Sequence, residues 1–271
     1  MKTNSVYPGG SMQEFTCLKM GNIKMGIFQV FIITLVLVWT FSPVIAQNSN
    51  SDDVSLADGS SRMISSRQIV DPWYVHTYKI INESRTFEMN IIINGSGELK
   101  INNSATFDLS QQWDYQRNIT VKDNGILHLE EKSSLISDHP VIILLQDNGQ
   151  LILEGDSNLK VSRIIARGNS SVILRSSNIL PGIGGLNINL GDRSKLELSD
   201  SNIINADIVE AYSDSKIKIF NSDIDASSYD ISCEELMISS NPDFRNFDVN
   251  SCEDVIISDS TVAQLDIFSC D

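Results

Sequence analysis

Basic residues, cysteines and histidines are all scarce in this chain of 271 residues. Lysine and arginine total 20 against 35 aspartates and glutamates, which gives a net charge of −15 at pH 7. Such an acidic surface repels nucleic acid and anionic lipid, so neither is an expected partner. The same charge is compatible with cation binding, with basic partners or with plain solubility.

The three histidines, His76, His128 and His139, are scattered and follow no metal-ligand spacing. The chain also lacks the glycine-rich nonapeptide of calcium-binding β-helices and the twelve-residue loop of an EF-hand. We therefore predict no metal site and no cofactor. Loosely bound calcium on clustered carboxylates is the one exception left open.

Of the four cysteines, Cys17 precedes the apolar N-terminal stretch, and three others follow much later. Cys233, Cys252 and Cys270 recur in similar local sequences, which predicts one column on neighbouring strands. Removal of a leader that contains Cys17 would leave three cysteines. An odd number of cysteines in an exported chain means at least one free thiol or an intermolecular bridge. Neighbouring strands lie about 4.8 Å apart, so either stacked buried thiols or one disulfide would fit.

The N-terminal part has the layout of a secretory signal peptide. Residues 27–41 are apolar, lysines precede them, and the small-residue pattern Val44-Ile45-Ala46 follows. We predict that residues 1–46 are a signal peptide with an extended basic region, with a retained membrane anchor as the alternative. Residues 47–70 are rich in Ser, Asn and Asp and are predicted to form a disordered tether. The expected location is secreted or cell-surface, with membrane anchoring if the leader is kept.

What the chain does contain is a repeated pattern of paired aliphatic residues. The clearest copies read LILEGDSNLKV, SVILRSSNIL, KLELSDSNII and KIKIFNSDI, at a period of roughly 20–24 residues. Alternation at a period of two indicates strands, and no segment between the copies is long enough for a crossover helix. The aliphatic pairs are Leu99/Ile101, Leu127/Leu129, Leu151/Leu153, Val172/Leu174, Leu196/Leu198, Ile217/Ile219, Leu236/Ile238 and Val255/Ile257. We predict a β cap and first repeat over residues 71–95 and parallel β-helix repeats over 96–271.

These repeats resemble the right-handed parallel β-helix of the pectate-lyase-like superfamily over about residues 90–271. The resemblance rests on L-x-L-x-x-S-N-I lines such as residues 174–179 and 198–203. In that fold an asparagine at the bend stacks into a ladder; Asn158, Asn178 and Asn202 match it, and Asp223 and Thr261 follow in register. The resemblance implies an all-β, right-handed parallel β-helix and says little about function.

Enzymes of this fold act on polysaccharides through acidic and basic residues on an outer strand face. The acids that could serve here are the weak candidates Asp207, Glu210, Asp223 and Asp225. No column of acids in adjacent repeats accompanies them, so we predict a non-catalytic exported module. Its expected role is a cell-surface or envelope scaffold that contacts carbohydrate. A polysaccharide lyase or glycoside hydrolase of the same fold is the alternative.

Several surface features bear on partners. Five N-x-S/T sequons are candidates for glycosylation, at Asn82, Asn94, Asn102, Asn118 and Asn169. Two outward apolar pairs, Ile152 with Ile173 and Met237 with Ile256, are expected to lie under the N-terminal segment or against a partner. The expected partners are polysaccharide or another surface protein. Because the sequence ends within the repeats, we also expect end-to-end association of copies.

Overall fold

The chain folds into a parallel β-helix. The computed structural model describes residues 71–240, 247–260 and 265–267, and among these it contains strands and no helix. The strands wind through about eight turns, which confirms the prediction of an all-β parallel β-helix. The predicted leader and tether in residues 1–70, together with Thr261 and Cys270, lie outside the described residues.

Each coil contributes one strand to each of three parallel sheets. The first twelve strands are β1 (Trp73–Val75), β2 (Lys79–Ile81), β3 (Arg85–Phe87), β4 (Ile91–Ile93), β5 (Glu98–Ile101), β6 (Thr106–Leu109), β7 (Asn118–Val121), β8 (Ile126–Leu129), β9 (Ser134–Ile136), β10 (Ile142–Leu145), β11 (Gln150–Glu154) and β12 (Asn158–Val161). The others are β13 (Arg163–Ala166), β14 (Ser171–Arg175), β15 (Asn178–Pro181), β16 (Asn187–Leu190), β17 (Lys195–Ser199), β18 (Asn202–Ala211), β19 (Lys216–Phe220), β20 (Asp223–Ser239), β21 (Phe247–Ser258) and β22 (Leu265–Ile267).

Strands pair with the strand one coil before and one coil after. The first sheet begins β1–β4–β7–β10, the second begins β2–β5–β8–β11 and the third begins β3–β6–β9–β12. The long strands β18, β20 and β21 continue around a corner and so contribute to more than one sheet. All of these pairings are parallel, as a coiled chain of constant direction requires.

The aliphatic pairs recognised in the sequence form the inner wall of the second sheet. Leu99 lies opposite Leu127, Leu127 opposite Leu151, and the same register continues to Val255. A slip of one residue would turn every inward side chain to solvent, so the alternation specifies this register strongly. The register read from the sequence is therefore confirmed along the whole second sheet.

The core is a narrow column of inward side chains shared by the three sheets. Most of them are aliphatic and fully buried. At the N-terminal end three aromatic rings stack instead, with centroid distances of 5.3 Å for Trp73–Phe87 and 4.2 Å for Phe87–Phe107. Burial of such rings and aliphatic chains is the main stabilising contribution, at roughly 25 cal/mol for each Å² of apolar surface removed from water.

Most coils after the first make two sharp bends at residues with positive φ. The bend between the first and second sheets uses Asp123, Asp147, Gly168 and Asp192, with φ between 56° and 71°. An aspartate there accepts a hydrogen bond from the previous coil, as Asp123 Oδ2 does from the Gly95 N–H at 3.0 Å. Aspartate tolerates the left-handed region and its carboxylate ties the coils together, which explains its repeated use.

The third corner, between the third and first sheets, carries the longer connections of residues 71–240. These connections are residues 110–117, 137–141 and 182–186. The first two are joined by a hydrogen bond of 2.9 Å from the Tyr115 N–H to the Pro140 carbonyl. In the described part of the chain no helix has the length and apolar character needed to cross a membrane.

Candidate functional site

The outward face of the second sheet gathers charged side chains from four successive coils. His128 lies at the middle of β8, directly opposite Lys100 on β5 and Ile152 on β11. Glu130 follows β8 on the same face, and Glu154 ends β11 opposite Arg175 of β14. We call His128, Glu130 and Glu154, with Glu98, Lys100 and Arg175 around them, the His128 cluster.

His128 is held between carboxylates on both sides of its ring. Its Nδ1 lies 3.3 Å from Glu98 Oε1, and its Nε2 lies 3.8 Å from Glu130 Oε2 and 3.6 Å from Glu154 Oε2. The imidazole side chain is 15% exposed, so little water reaches it. Nε2 is buried and makes no hydrogen bond within the described residues.

The two glutamates beside Nε2 are each paired with a cation through their other oxygen. Lys100 Nζ lies 2.7 Å from Glu130 Oε1, and the Arg175 guanidinium donates to Glu154 Oε1. The hydrogen bond from Lys100 to Glu130 raises the pKa of this lysine above its ordinary value, against the opposing effect of burial. The ion pairs therefore orient both carboxylates, and each presents Oε2 to the histidine.

A shallow depression adjoins the His128 cluster on the same face. It has a volume of about 200 Å³ and is lined by Ile173, Arg175, Glu197, Ser199, Lys218 and neighbouring backbone. Arg175 belongs to both features, so a molecule in the depression would contact the edge of the cluster. Its lining combines the apolar side chain of Ile173 with the charged side chains of Arg175, Glu197 and Lys218.

The four acids singled out in the sequence do not share one sheet face. Glu210 lies in the part of β18 that pairs with the first sheet and accepts a hydrogen bond from the Asn189 amide. Asp223 opens β20 opposite Asn202 in the third sheet. Asp207 and Asp225 are exposed near the corner between the third and first sheets. Of the four acids, Asp223 and Asp225 lie on one face of β20, on either side of the buried Ile224, as expected for an extended segment.

The asparagines and cysteines singled out in the sequence do meet across coils. Asn178 Nδ2 donates to Asn158 Oδ1 at 3.3 Å, and Asn202 Nδ2 donates to Asn178 Oδ1 at 3.1 Å. Cys233 lies opposite Cys252, and their Sγ atoms are 2.7 Å apart as buried free thiols. Contact with Cys252 and then burial raise the pKa of Cys233, so this thiol stays protonated at neutral pH.

A second exposed feature lies on the third corner, in residues 110–117. Trp113 is 40% exposed and Tyr115 is 45% exposed. The buried Gln111 holds the loop in place, since its Oε1 accepts from the Arg117 N–H at 2.7 Å and its Nε2 donates to Ser137 Oγ at 3.0 Å. We call residues 110–117, with the adjoining His139, the aromatic corner.

The sequons fall into two groups. Asn82 and Asn169 are exposed, whereas Asn94, Asn102 and Asn118 are half-buried. The Oδ1 atoms of Asn94 and Asn102 are buried, and Asn118 Oδ1 accepts the Ile142 N–H at 3.2 Å. Asn82 and Asn169 are therefore the two exposed acceptors, although the Nδ2 of Asn169, the atom to which a glycan would be attached, donates to Asn148 Oδ1 at 3.3 Å.

The His128 cluster was missed because each of its members is ordinary in its own repeat. The signal lies in the alignment of repeats, where Leu127-His128-Leu129-Glu130 stands beside Leu151-Ile152-Leu153-Glu154. Reading down the outward columns of that alignment places the two glutamates side by side.

Comparison of the chain with protein-family models, curated proteins and solved structures finds no match in any of the three.

Proposed function

We propose that the chain is an exported, non-catalytic β-helix module that serves as a cell-surface scaffold and contacts carbohydrate. The observation that carries the proposal is the pair of exposed rings, Trp113 and Tyr115, on a loop anchored by Gln111. Aromatic rings with a polar edge offer a flat apolar face beside hydrogen-bonding groups. A sugar ring has a matching apolar face surrounded by hydroxyl groups, so the two surfaces are complementary. Asp114 and His139, 3.2 Å apart, supply polar groups next to the rings.

The rest of the described chain supports the scaffold part of the proposal. Successive coils are bonded along three sheets, and about eight turns at about 4.8 Å each give a rod of roughly 40 Å. A rod of this kind holds its surface loops in fixed positions, because every coil is bonded to both neighbours. The exposed sequons Asn82 and Asn169 are consistent with export, since glycans are added to exported chains.

The ion pairs of the His128 cluster support a structural role for its acids. Glu130 is paired with Lys100, and Glu154 is paired with Arg175. Each of these glutamates therefore uses one carboxylate oxygen to link neighbouring coils.

A polysaccharide lyase or glycoside hydrolase is the second candidate function. It is favoured by one observation, namely that one ligand atom from each of His128, Glu130 and Glu154 lies within 4.8 Å of the others. Lys100 and Arg175 border this group, and the depression next to Arg175 would accept part of a sugar chain. Acids and bases from neighbouring coils are what a carbohydrate-active site on this face would need.

One experiment separates the two functions. The full chain, expressed in a secreting host, is incubated with neutral and acidic polysaccharides, with and without calcium. Binding is followed by pull-down and cleavage by the appearance of new chain ends. We expect binding without new ends, and at least tenfold weaker binding in a Trp113→Ala, Tyr115→Ala double variant. The matched control is Phe220→Ala, because Phe220 is 50% exposed on the second sheet.

Each alternative outcome has a defined meaning. New chain ends that vanish in Glu154→Gln would establish the enzyme and reject the non-catalytic role. Equal loss of binding in the control variant would reject the aromatic corner as the contact surface. No binding to any polysaccharide would reject carbohydrate as the partner. Sequencing of the N-terminus from the culture medium tests export, for which we expect Gln47 as the first residue.

A further inference from the structure

One polar atom of the His128 cluster lacks the partner that its burial calls for. His128 Nε2 is shielded from solvent and makes no hydrogen bond within the described residues, although two carboxylate oxygens lie 3.6 Å and 3.8 Å away. A buried polar atom without a hydrogen-bond partner destabilises the folded state. Two anionic oxygens and a ring nitrogen that converge without bonding to one another leave room for a cation between them.

The other side of the imidazole fixes which nitrogen carries the proton. Nδ1 lies 3.3 Å from Glu98 Oε1, so in the neutral ring the Nδ1–H donates to this carboxylate. Nε2 then carries the lone pair and points at Glu130 and Glu154. A carboxylate behind a metal-binding histidine is the usual arrangement in metal sites, because it orients the ring and increases its basicity.

In each glutamate, as in the imidazole of His128, one polar atom contacts a neighbouring side chain and the other is directed into the cluster. Lys100 and Arg175 contact the Oε1 atoms of Glu130 and Glu154, respectively. The Oε2 atoms of both glutamates are the ones directed toward His128. Three potential ligand atoms therefore converge, and each is held from behind by a separate residue.

We propose that His128 Nε2, Glu130 Oε2 and Glu154 Oε2 form a binding site for a divalent transition-metal ion, with Zn²⁺ as its representative. Bonds to Zn²⁺ from imidazole nitrogen and carboxylate oxygen are about 2.0–2.2 Å, so tetrahedral ligands lie about 3.4 Å apart. The separations of 3.6 Å and 3.8 Å need only a small contraction of the glutamate side chains to reach that value. This site is independent of the aromatic corner and of the carbohydrate proposal.

The ligand types select the class of metal. Calcium and magnesium take oxygen ligands, whereas imidazole with carboxylates suits zinc and its first-row neighbours. The acidic side chains also fit a cation, because the three glutamates of the cluster outnumber its one lysine and one arginine. Three protein ligands leave at least one coordination position open toward solvent, as in zinc sites that bind an exogenous ligand.

The test measures metal binding directly on the full chain without a histidine tag. Equilibrium dialysis against Zn²⁺ gives stoichiometry and affinity, and the visible spectrum of the Co²⁺ form reports ligation by nitrogen. The ligand variant is His128→Ile, which places in β8 the same residue that Ile152 supplies in the next coil, so the fold is expected to be kept. Glu98→Gln tests the orienting role. The matched controls are His139→Gln and Glu235→Gln, since Glu235 lies on the same face and contacts Lys218 at 3.1 Å.

We expect one Zn²⁺ per chain in the unmodified protein and in both controls. His128→Ile should lose the ion and the Co²⁺ spectrum, and Glu98→Gln should bind roughly 10–100 times more weakly, the range for orienting residues. Absence of Zn²⁺ binding, or binding that persists in His128→Ile, would overturn the proposal. Preference for Ca²⁺ over Zn²⁺ would overturn it as well, because the histidine would then have no place in the site.

Discussion

At the residue scale, one column of small residues shows how tightly neighbouring coils approach. Gly97, Gly125 and Gly149 immediately precede the second-sheet strands of three successive coils, and Ser170 and Ser194 take the same place in the next two. A Cβ at Gly149 would lie 2.4 Å from the Val121 carbonyl oxygen. The early coils therefore leave no space for a side chain at this position, whereas the later coils accommodate a serine.

Replacement of Gly149 by alanine should destabilise the protein by about 1–3 kcal/mol, because the methyl group forces the backbone apart. Replacement of Ser194 by alanine should leave the free energy of unfolding unchanged or raise it by about 1 kcal/mol, since the buried Oγ has no hydrogen-bond partner in the described structure. Urea denaturation measures both values. Equal destabilisation by the two variants would contradict this account of the column.

Tyr229 links the stability of the stack to alkaline pH. Burial raises the pKa of its hydroxyl, with a smaller contribution from Asp223 and Asp225, and the hydroxyl donates to the Ile224 carbonyl. The folded protein thus keeps this proton at pH values where the unfolded chain has lost it. Its contribution to stability is complete below about pH 10, the ordinary pKa of tyrosine, and falls as the pH rises above that value.

The corresponding measurement compares urea denaturation at pH 8 and pH 11 for the unmodified chain and for Tyr229→Phe. We expect the fall in stability between these pH values to be smaller in the variant, which has no proton to lose at this position. Exposed Tyr78→Phe serves as the control and should fall as much as the unmodified chain. A fall of the same size in all three proteins would show that Tyr229 does not cause it.

At the scale of structural elements, two asparagine ladders join the coils. The ladder of Asn158, Asn178 and Asn202 begins the third-sheet strands and contains the residues that the sequence pattern indicated. A second ladder lies in the bends before the second sheet, where Asn148 Nδ2 donates to Asn124 Oδ1 at 3.1 Å and Asn169 Nδ2 donates to Asn148 Oδ1 at 3.3 Å. The second ladder escaped the sequence reading because its members lie outside the aliphatic lines that revealed the repeat.

Asn178 is the central member of the first ladder and takes part in both of its amide–amide hydrogen bonds. We expect Asn178→Ala to lower the free energy of unfolding by about 1–2 kcal/mol, at about 0.5–1.5 kcal/mol for each hydrogen bond lost. Asn202→Ala loses only one of these bonds and should cost about half as much. The comparison is made by urea denaturation. A larger cost at Asn202 would show that the ladder is not the source of the effect.

At the scale of the whole molecule, contact is limited to neighbouring coils. Each strand pairs one coil back and one coil forward, so the stability of the stack is a sum of coil and interface contributions. Leu99 and Leu196 lie four coils apart in the second sheet, whereas Leu151 and Val172 lie opposite each other in adjacent coils. These pairs provide a test of how far a perturbation travels along the rod.

Each leucine-to-alanine change should cost about 2–5 kcal/mol through the cavity it leaves. For Leu99→Ala with Leu196→Ala we expect the two costs to add within about 0.5 kcal/mol, because the sites share no partner. For Leu151→Ala with Val172→Ala the costs should not add, because one cavity opens into the other. Denaturant unfolding of the single and double variants measures both sums. Strong coupling between the distant pair would show that the stack responds as one unit.

The fold and the register of the second sheet from β5 to β21 could be predicted from the amino-acid sequence alone. In a coiled chain every inward position must be apolar in every turn, so pairs such as Leu127/Leu129 repeat visibly and can be aligned without coordinates. The bends are harder to locate in the sequence, because Asp, Asn, Ser and Gly all tolerate positive φ and no single residue type marks the position. Inward residues must be apolar because they share one core, and this requirement produces the repeated aliphatic pairs in the sequence.

The contacts of the outward residues depend on the three-dimensional stacking of the coils. Glu154 and Arg175 are 21 residues apart and lie directly opposite each other in adjacent coils. His128 and Glu98 are 30 residues apart and meet diagonally, because Glu98 lies opposite Ile126 and His128 is two residues further along the strand. Outward positions face solvent and need no particular residue type. Their chemistry therefore depends on the side chains in the neighbouring coils and on which carboxylate oxygen is paired with a cation. The same stacking put Glu210 on the first sheet and Asp223 on the third, so these two candidate acids face different sides of the coil.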